Sequence, residues 1–112
     1  MLASKYRFHR RNHVNRVYKQ GRSVRGEAIS LKYRLDPADS DIRIAVVVSK
    51  KVAKSAVSRN RIRRRVFEVI REQVETLPPG FEGVFGVFDS SVAEQPIEQL
   101  KATIKGLVTK AT

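Results

Sequence analysis

Between Lys50 and Arg65 the chain carries eight basic residues and no acid: Lys50, Lys51, Lys54, Arg59, Arg61, Arg63, Arg64 and Arg65. Ammonium and guanidinium groups at this density suit phosphates, and the planar guanidinium fork grips them through paired hydrogen bonds. Asn60, set among the arginines, adds an amide that both donates and accepts. The chemistry on offer is recognition of a polyanion. Bond breaking lacks its usual groups: the sequence has no cysteine, and no histidine or carboxylate pair falls inside this stretch. His9 and His13 stand one helical turn apart among basic residues, which suits a surface or RNA-facing role better than a metal. Asp36, Asp39 and Asp41 lie in "DPADSD", where turn formation explains them. The glycines of "GFEGVFG" lack the spacing and the strand-to-helix setting of a nucleotide loop.

The arginines must be presented by a helix over about 56–75. Ile62, Val66, Val69, Ile70 and Val74 make one apolar stripe at 100° per residue. Asn60, Arg61, Arg64, Arg65 and Glu68 project from the opposite side, with Arg63 at the border. Arg59 falls at the first turn on the apolar side. Exposed helix faces ordinarily mix signs, because like charges at i, i+4 destabilise. Here Arg61 and Arg65 form such a pair, and basic residues early in a helix also oppose its dipole. A bound polyanion relieves both costs.

The other elements follow from pattern. Val14, Val17 and Tyr18 give helical spacing over about 11–20, and Gly21 suits the helix end. Period-two alternation from about Ser23 to Leu35 predicts a half-buried strand, with Ser30, Lys32 and Arg34 on its polar face. Residues 42–49 predict a second strand, whose "IAVVV" centre suggests burial on both faces. "LPPG" ends the basic helix, and 81–88 predict a third strand. A closing helix over about 96–110 takes Pro96 in its first turn and buries Ile97, Leu100, Ile104, Leu107 and Val108. Tyr18 reads either as core or as an exposed stacking platform.

Charge is segregated along the chain. Residues 1–71 hold 20 of the 23 basic residues and five acids, whereas 72–112 hold three basic residues and six acids. Interleaving of basic with apolar residues implies one folded domain over 1–112 with a strongly positive surface, residues 1–8 being expected to be flexible. Nucleic acid is the usual partner of such a surface. Basic residues on two helices and a sheet face suit an irregular folded RNA better than a short DNA site. The longest aliphatic run, Ile44–Val48, is far too short for a membrane span. Neither a membrane nor a small-molecule substrate is expected. The lack of cysteine and of an apolar N-terminal stretch fits a cytoplasmic protein.

"VVVSKKVAKSAVSRNRIRRRVFEVIRE" resembles the signature of the protein subunit of bacterial ribonuclease P: a strand ending in Ser49-Lys50-Lys51, a basic loop, then Arg59-Asn60-Arg61 opening a basic helix. "HVNRVYKQGRSVRG" is similar to that family's first helix and glycine turn. The resemblance implies a small α+β domain of order α-β-β-β-α-β-α. It also implies a mixed sheet with a left-handed β-α-β crossover, like the second domain of a small-subunit ribosomal protein. As function it implies a ribonucleoprotein that removes the 5′ leader of precursor tRNA, with the RNA subunit as catalyst and holder of Mg²⁺, one protein per RNA. Lys50, Lys51, Lys54, Arg59, Asn60, Arg61, Arg63, Arg64 and Arg65 would then meet the RNA subunit. Val14, Arg16, Tyr18, Ser30, Lys32 and Arg34 would meet the leader. No catalytic or metal-binding residue is assigned to the protein itself.

Three positions depart from the pattern. Val14 replaces a frequent aromatic, Phe67 a usual basic residue, and Asp89 a common Arg or Lys; each weakens or redirects leader contact. Composition alone is equally compatible with a non-catalytic RNA-binding protein of ribosomal type.

Overall fold

The computed structural model describes residues 11–112 apart from Asp39, with side chains from Val14 onward. The chain runs α1 (Arg11–Gln20), β1 (Arg22–Arg25), β2 (Ile29–Leu35), β3 (Arg43–Val48), α2 (Ala56–Gln73), β4 (Phe81–Val87) and α3 (Ile97–Ala111). Single 3-10 turns cover Val74–Thr76 and Ser90–Ala93. The four strands form one mixed sheet of order β1-β2-β4-β3, in which β4 is antiparallel to β2 and parallel to β3. The parallel pair is joined through α2, which makes the expected β-α-β unit.

The expected strand over 23–35 is two strands. The chain reverses at Gly26–Ala28, with the Gly26 amide donating to the Ile29 carbonyl at 2.9 Å and Ala28 at φ 67. Alternation continued through this hairpin because both strands keep the same inward set, Val24 pairing with Leu31. Gly21 is demanded by close approach: a Cβ there would lie 2.3 Å from the Val17 carbonyl oxygen and 2.6 Å from that of Tyr33.

One sheet face carries the main core. Ile29 and Leu31, Ile44, Val46 and Val48, and Phe81, Phe85 and Val87 point to it, beneath α2 and α3. The expected stripe of α2 is buried as Ile62, Val66, Val69 and Ile70, with Val74 in the 3-10 turn that follows. Each such burial contributes about 1.5–3 kcal/mol. A like-charge i, i+4 pair costs only ~0.2–0.5 kcal/mol. Packing therefore holds the helix in place despite its arginines.

Two expectations about apolar residues fail at the margins. "IAVVV" is not buried on both faces: β3 is an edge strand, and Val47 is 44% exposed on the second face. Ile97, at the first turn of α3, is exposed, and Pro96 precedes the helix as its cap. The second face is crossed by α1, under which Val17 and Val84 are fully or nearly fully buried. The rest of that face stays open. Among the described residues no helix is long and apolar enough to cross a membrane.

Candidate nucleic-acid interface

The basic segment folds as a compact turn followed by a capped helix. The Ser49 carbonyl accepts from the amides of Val52 and Ala53, which turns the chain sharply after β3. Ser55 caps α2, its Oγ accepting from the Ser58 amide at 3.0 Å. Arg59 reaches back and donates Nη1 to the carbonyls of Ala53, at 3.0 Å, and Lys54, at 2.8 Å. Lys50, Lys51 and Lys54 are exposed in the segment that leads into α2. Asn60, Arg61 and Arg64 are exposed on the adjoining helix face. No acid stands in the first turn of α2, and neither Arg61 nor Arg64 meets a carboxylate among the described residues.

The nine residues expected here therefore do different jobs. Arg65 is corrected from a solvent-face residue to a tie: its Nη1 donates to the Val92 carbonyl at 2.7 Å, fixing α2 to the 3-10 turn after β4. Arg63 donates to Oδ1 of the exposed Asn60 one turn earlier. Arg63, Asn60 and Arg64 line a shallow recess of about 390 Å³ with Phe67, so the departure at 67 places an aromatic edge among guanidiniums.

A second surface lies between α1 and the open sheet face. Strand register puts Ser23, Arg25, Ser30, Lys32 and Gly86 on that face together. Tyr18 is 45% exposed, which excludes a core role, and Lys32 Nζ sits 5.2 Å from its ring centroid. Val14 is half-buried one turn earlier. Arg16 and Arg34 are drawn into ion pairs. Arg34 Nη1 lies 2.9 Å from Glu82 Oε1 and 3.5 Å from Asp36 Oδ2, and Arg16 Nη2 lies 3.9 Å from the same Asp36 oxygen. Asp36, expected to shape a turn, does so as well, accepting from the Ala38 amide at 3.0 Å. Asp89 likewise acts locally, its Oδ1 accepting from the Ser91 amide and capping the turn that follows. The side chains of His9 and His13, and Asp39, lie outside the described residues.

A family model described as Ribonuclease P matches residues 2–112. The chain belongs to the ribonuclease P protein family. The ribonuclease P protein component of Pseudanabaena sp. is 37% identical over 112 residues, covering 99% of this chain and 95% of the relative. That of Chloroflexus aurantiacus is 35% identical over 107 residues, covering 95% and 77%. Among solved structures, the RNase P protein of Staphylococcus aureus superposes with a TM-score of 0.81 at 20% identity, covering 96% of this chain and 95% of that one. The RNase P protein from Thermotoga maritima gives 0.81 at 22% identity, covering 95% and 97%. The two structures share this fold. Membership makes the chain the protein subunit of a tRNA-processing ribonucleoprotein.

Within this ribonuclease P fold, sequence reasoning missed Arg25, Val47, Gly86 and Phe88 on the open face. Arg25 was hidden by the unrecognised hairpin, since its facing depends on pairing with Ser30. Phe88 carried a usable signal: it shares the even-numbered alternation of Glu82, Val84 and Gly86, the set that faces away from the main core.

Proposed function

We propose that the protein acts in ribonuclease P by binding the catalytic RNA through the 49–55 turn and α2, and the 5′ leader of precursor tRNA in the cleft between α1 and the open sheet face. One observation carries this reading: an acid-free, exposed set of lysines and arginines is held rigidly by a capped helix and by Arg59. Phosphates are the groups that such a set binds best. Tyr18 with Lys32 offers a base a ring and its phosphate a cation, the combination suited to a single strand.

Bond cleavage is assigned to the RNA subunit, bound one-to-one. Stabilising the attacking and leaving oxygens of a phosphodiester ordinarily takes divalent cations. Among the described residues no three His, Asp or Glu side chains converge to offer Mg²⁺ a ligand set. Asp36 and Glu82 are engaged by arginine. The protein's part is to place fixed positive charge where two polyanions repel. Mobile counterions do the same without fixed positions.

The test is cleavage of precursor tRNA across a Mg²⁺ titration. Protein rigorously freed of RNA should cleave nothing. With the RNA subunit it should support cleavage at low Mg²⁺, and the advantage of adding it should shrink as Mg²⁺ rises. Metal-dependent cleavage by the protein alone would refute the assignment, as would an advantage that stays constant.

A further inference from the structure

Phe88 follows β4 immediately, and its amide donates to the Ala28 carbonyl at 3.0 Å, so the β2–β4 ladder extends one step beyond Val87. Alternation turns its ring to the open face, where it is 41% exposed and outside the main core. The guanidinium carbon of Arg25 lies 4.2 Å from the ring centroid. Arg25 in turn sits opposite Ser30, on the face that carries Lys32.

The open face therefore bears two aromatic–cation pairs, Tyr18 with Lys32 and Phe88 with Arg25. From the level of Lys32 to that of Ala28 is four residues along β2, or about 13 Å at strand rise. Between the pairs the floor is low: Ser30 faces Gly86, and Val47 stands beyond it on β3. Asp89, next to Phe88 in sequence, has its carboxylate turned to the Ser91 amide, and Glu27, two residues after Arg25, accepts from Gln99 Nε2 at 3.5 Å.

We propose that Phe88 fixes the Arg25 guanidinium as a second stacking platform for an unpaired base, at the far end of the cleft from Tyr18. A ring-backed guanidinium presents a flat cationic surface, and unstacked bases settle on such planes. At ~3.4 Å per nucleotide in a stacked strand, the two platforms are about four nucleotide steps apart. The inference rests on the reading that the cleft receives the leader. It makes a separate claim: leader length, and the identity of residue 88, set how much of the strand is held.

The experiment uses holoenzyme reconstituted with the RNA subunit and precursor tRNAs whose leaders run from about two to about eight nucleotides, bracketing that spacing. Binding is compared for the unaltered protein, Phe88→Ala, Phe88→Tyr, Arg25→Lys and Tyr18→Ala, with thermal melting of each protein. Phe88→Ala and Arg25→Lys should each weaken long-leader binding about five-fold or more while leaving short leaders unchanged. Phe88→Tyr should retain affinity. Arg25→Lys keeps the charge but loses the plane, so its loss marks stacking rather than attraction. If Tyr18→Ala weakens long leaders and Phe88→Ala does not, the second platform is refuted while the cleft reading stands. If no variant shows any dependence on leader length, the cleft reading falls too. Equal losses on short and long leaders, or a lowered melting temperature that accounts for them, would show Phe88 to be merely structural.

Discussion

Arg34 and Glu82 face each other at paired positions of β2 and β4, Nη1 to Oε1 at 2.9 Å, with the Glu82 side chain 1% exposed. Two residues far apart in sequence thus share one buried charge pair. Removing Arg34 takes a short charged hydrogen bond away from a buried carboxylate. Arg34→Ala is expected to cost about 1.5–3 kcal/mol, the range for a hydrogen bond to a charged group. Lys32→Ala, next but one on the same face, should cost less than about 0.5 kcal/mol. Urea unfolding of both variants decides, and equal small losses would remove Arg34 from the framework and return it to the leader surface.

Tyr18 gives the opposite pattern. Its ring is half in solvent, so Tyr18→Ala should leave melting nearly unchanged. Precursor binding should weaken by roughly 1–3 kcal/mol, nearer the lower figure because half-buried Val14 adds no ring beside it. Mature tRNA, which lacks the leader, should bind as before. An equal loss for both RNAs would place the tyrosine against some other part of the substrate.

Arg61 and Arg64 are the cleanest probes of the RNA subunit. Each alanine substitution should weaken binding with little change in fold. Removal of one phosphate-binding cation should lower the slope of log affinity against log salt by about one unit at most. Unchanged slopes for both would mean that this helix face meets something other than RNA.

Arg59 and Arg65 should behave differently from their neighbours, since each spends its guanidinium on backbone carbonyls. Hydrogen bonds from a charged donor contribute ~1.5–3 kcal/mol. Arg65→Ala should lower stability by about that amount, with weaker RNA binding only as a consequence of the loosened turn. Arg59→Ala should lower stability and also free the turn that carries Lys50, Lys51 and Lys54. A variant of either that melts normally yet binds poorly would reassign the residue to direct contact.

Sulfate or phosphate should raise the melting temperature of the free protein. The first 71 residues carry 20 basic groups against five acids, and anions bound to the folded surface relieve that repulsion. Melting that ignores these anions over a titration would argue against a strained charge distribution.

Much of this was legible from periodicity. The α2 stripe, the inward set of α3 beyond Ile97 and the polar face of β2 all follow from one-dimensional spacing, because each packs against a single neighbouring layer. Functions that depend on pairing were not legible. Arg34 reads as an exposed cation until β4 is laid beside β2, and Arg65 reads as solvent-facing until the turn at Val92 folds over it. Phe88 and Arg25 meet only through a hairpin that the alternation conceals. In each case the deciding partner is distant in sequence and set by register.

The strand order has a bearing on how the chain is made. β4 lies between β2 and β3, yet it is the last strand to be synthesised, and its partners precede it by as many as 58 positions, as Ile29 does Val87. Until residues 81–87 leave the ribosome, the β1–β2 hairpin and β3 have no ladder to join them, and α2 has no finished surface to cover. Local pieces form in microseconds, but closure waits on a long-range pairing. During that interval the apolar run Ile44–Val48 has an unpaired edge on each side, a known route to association between chains. The basic turn and helix that follow it emerge next, so a dense run of like charge stands beside that apolar segment before the central strand arrives.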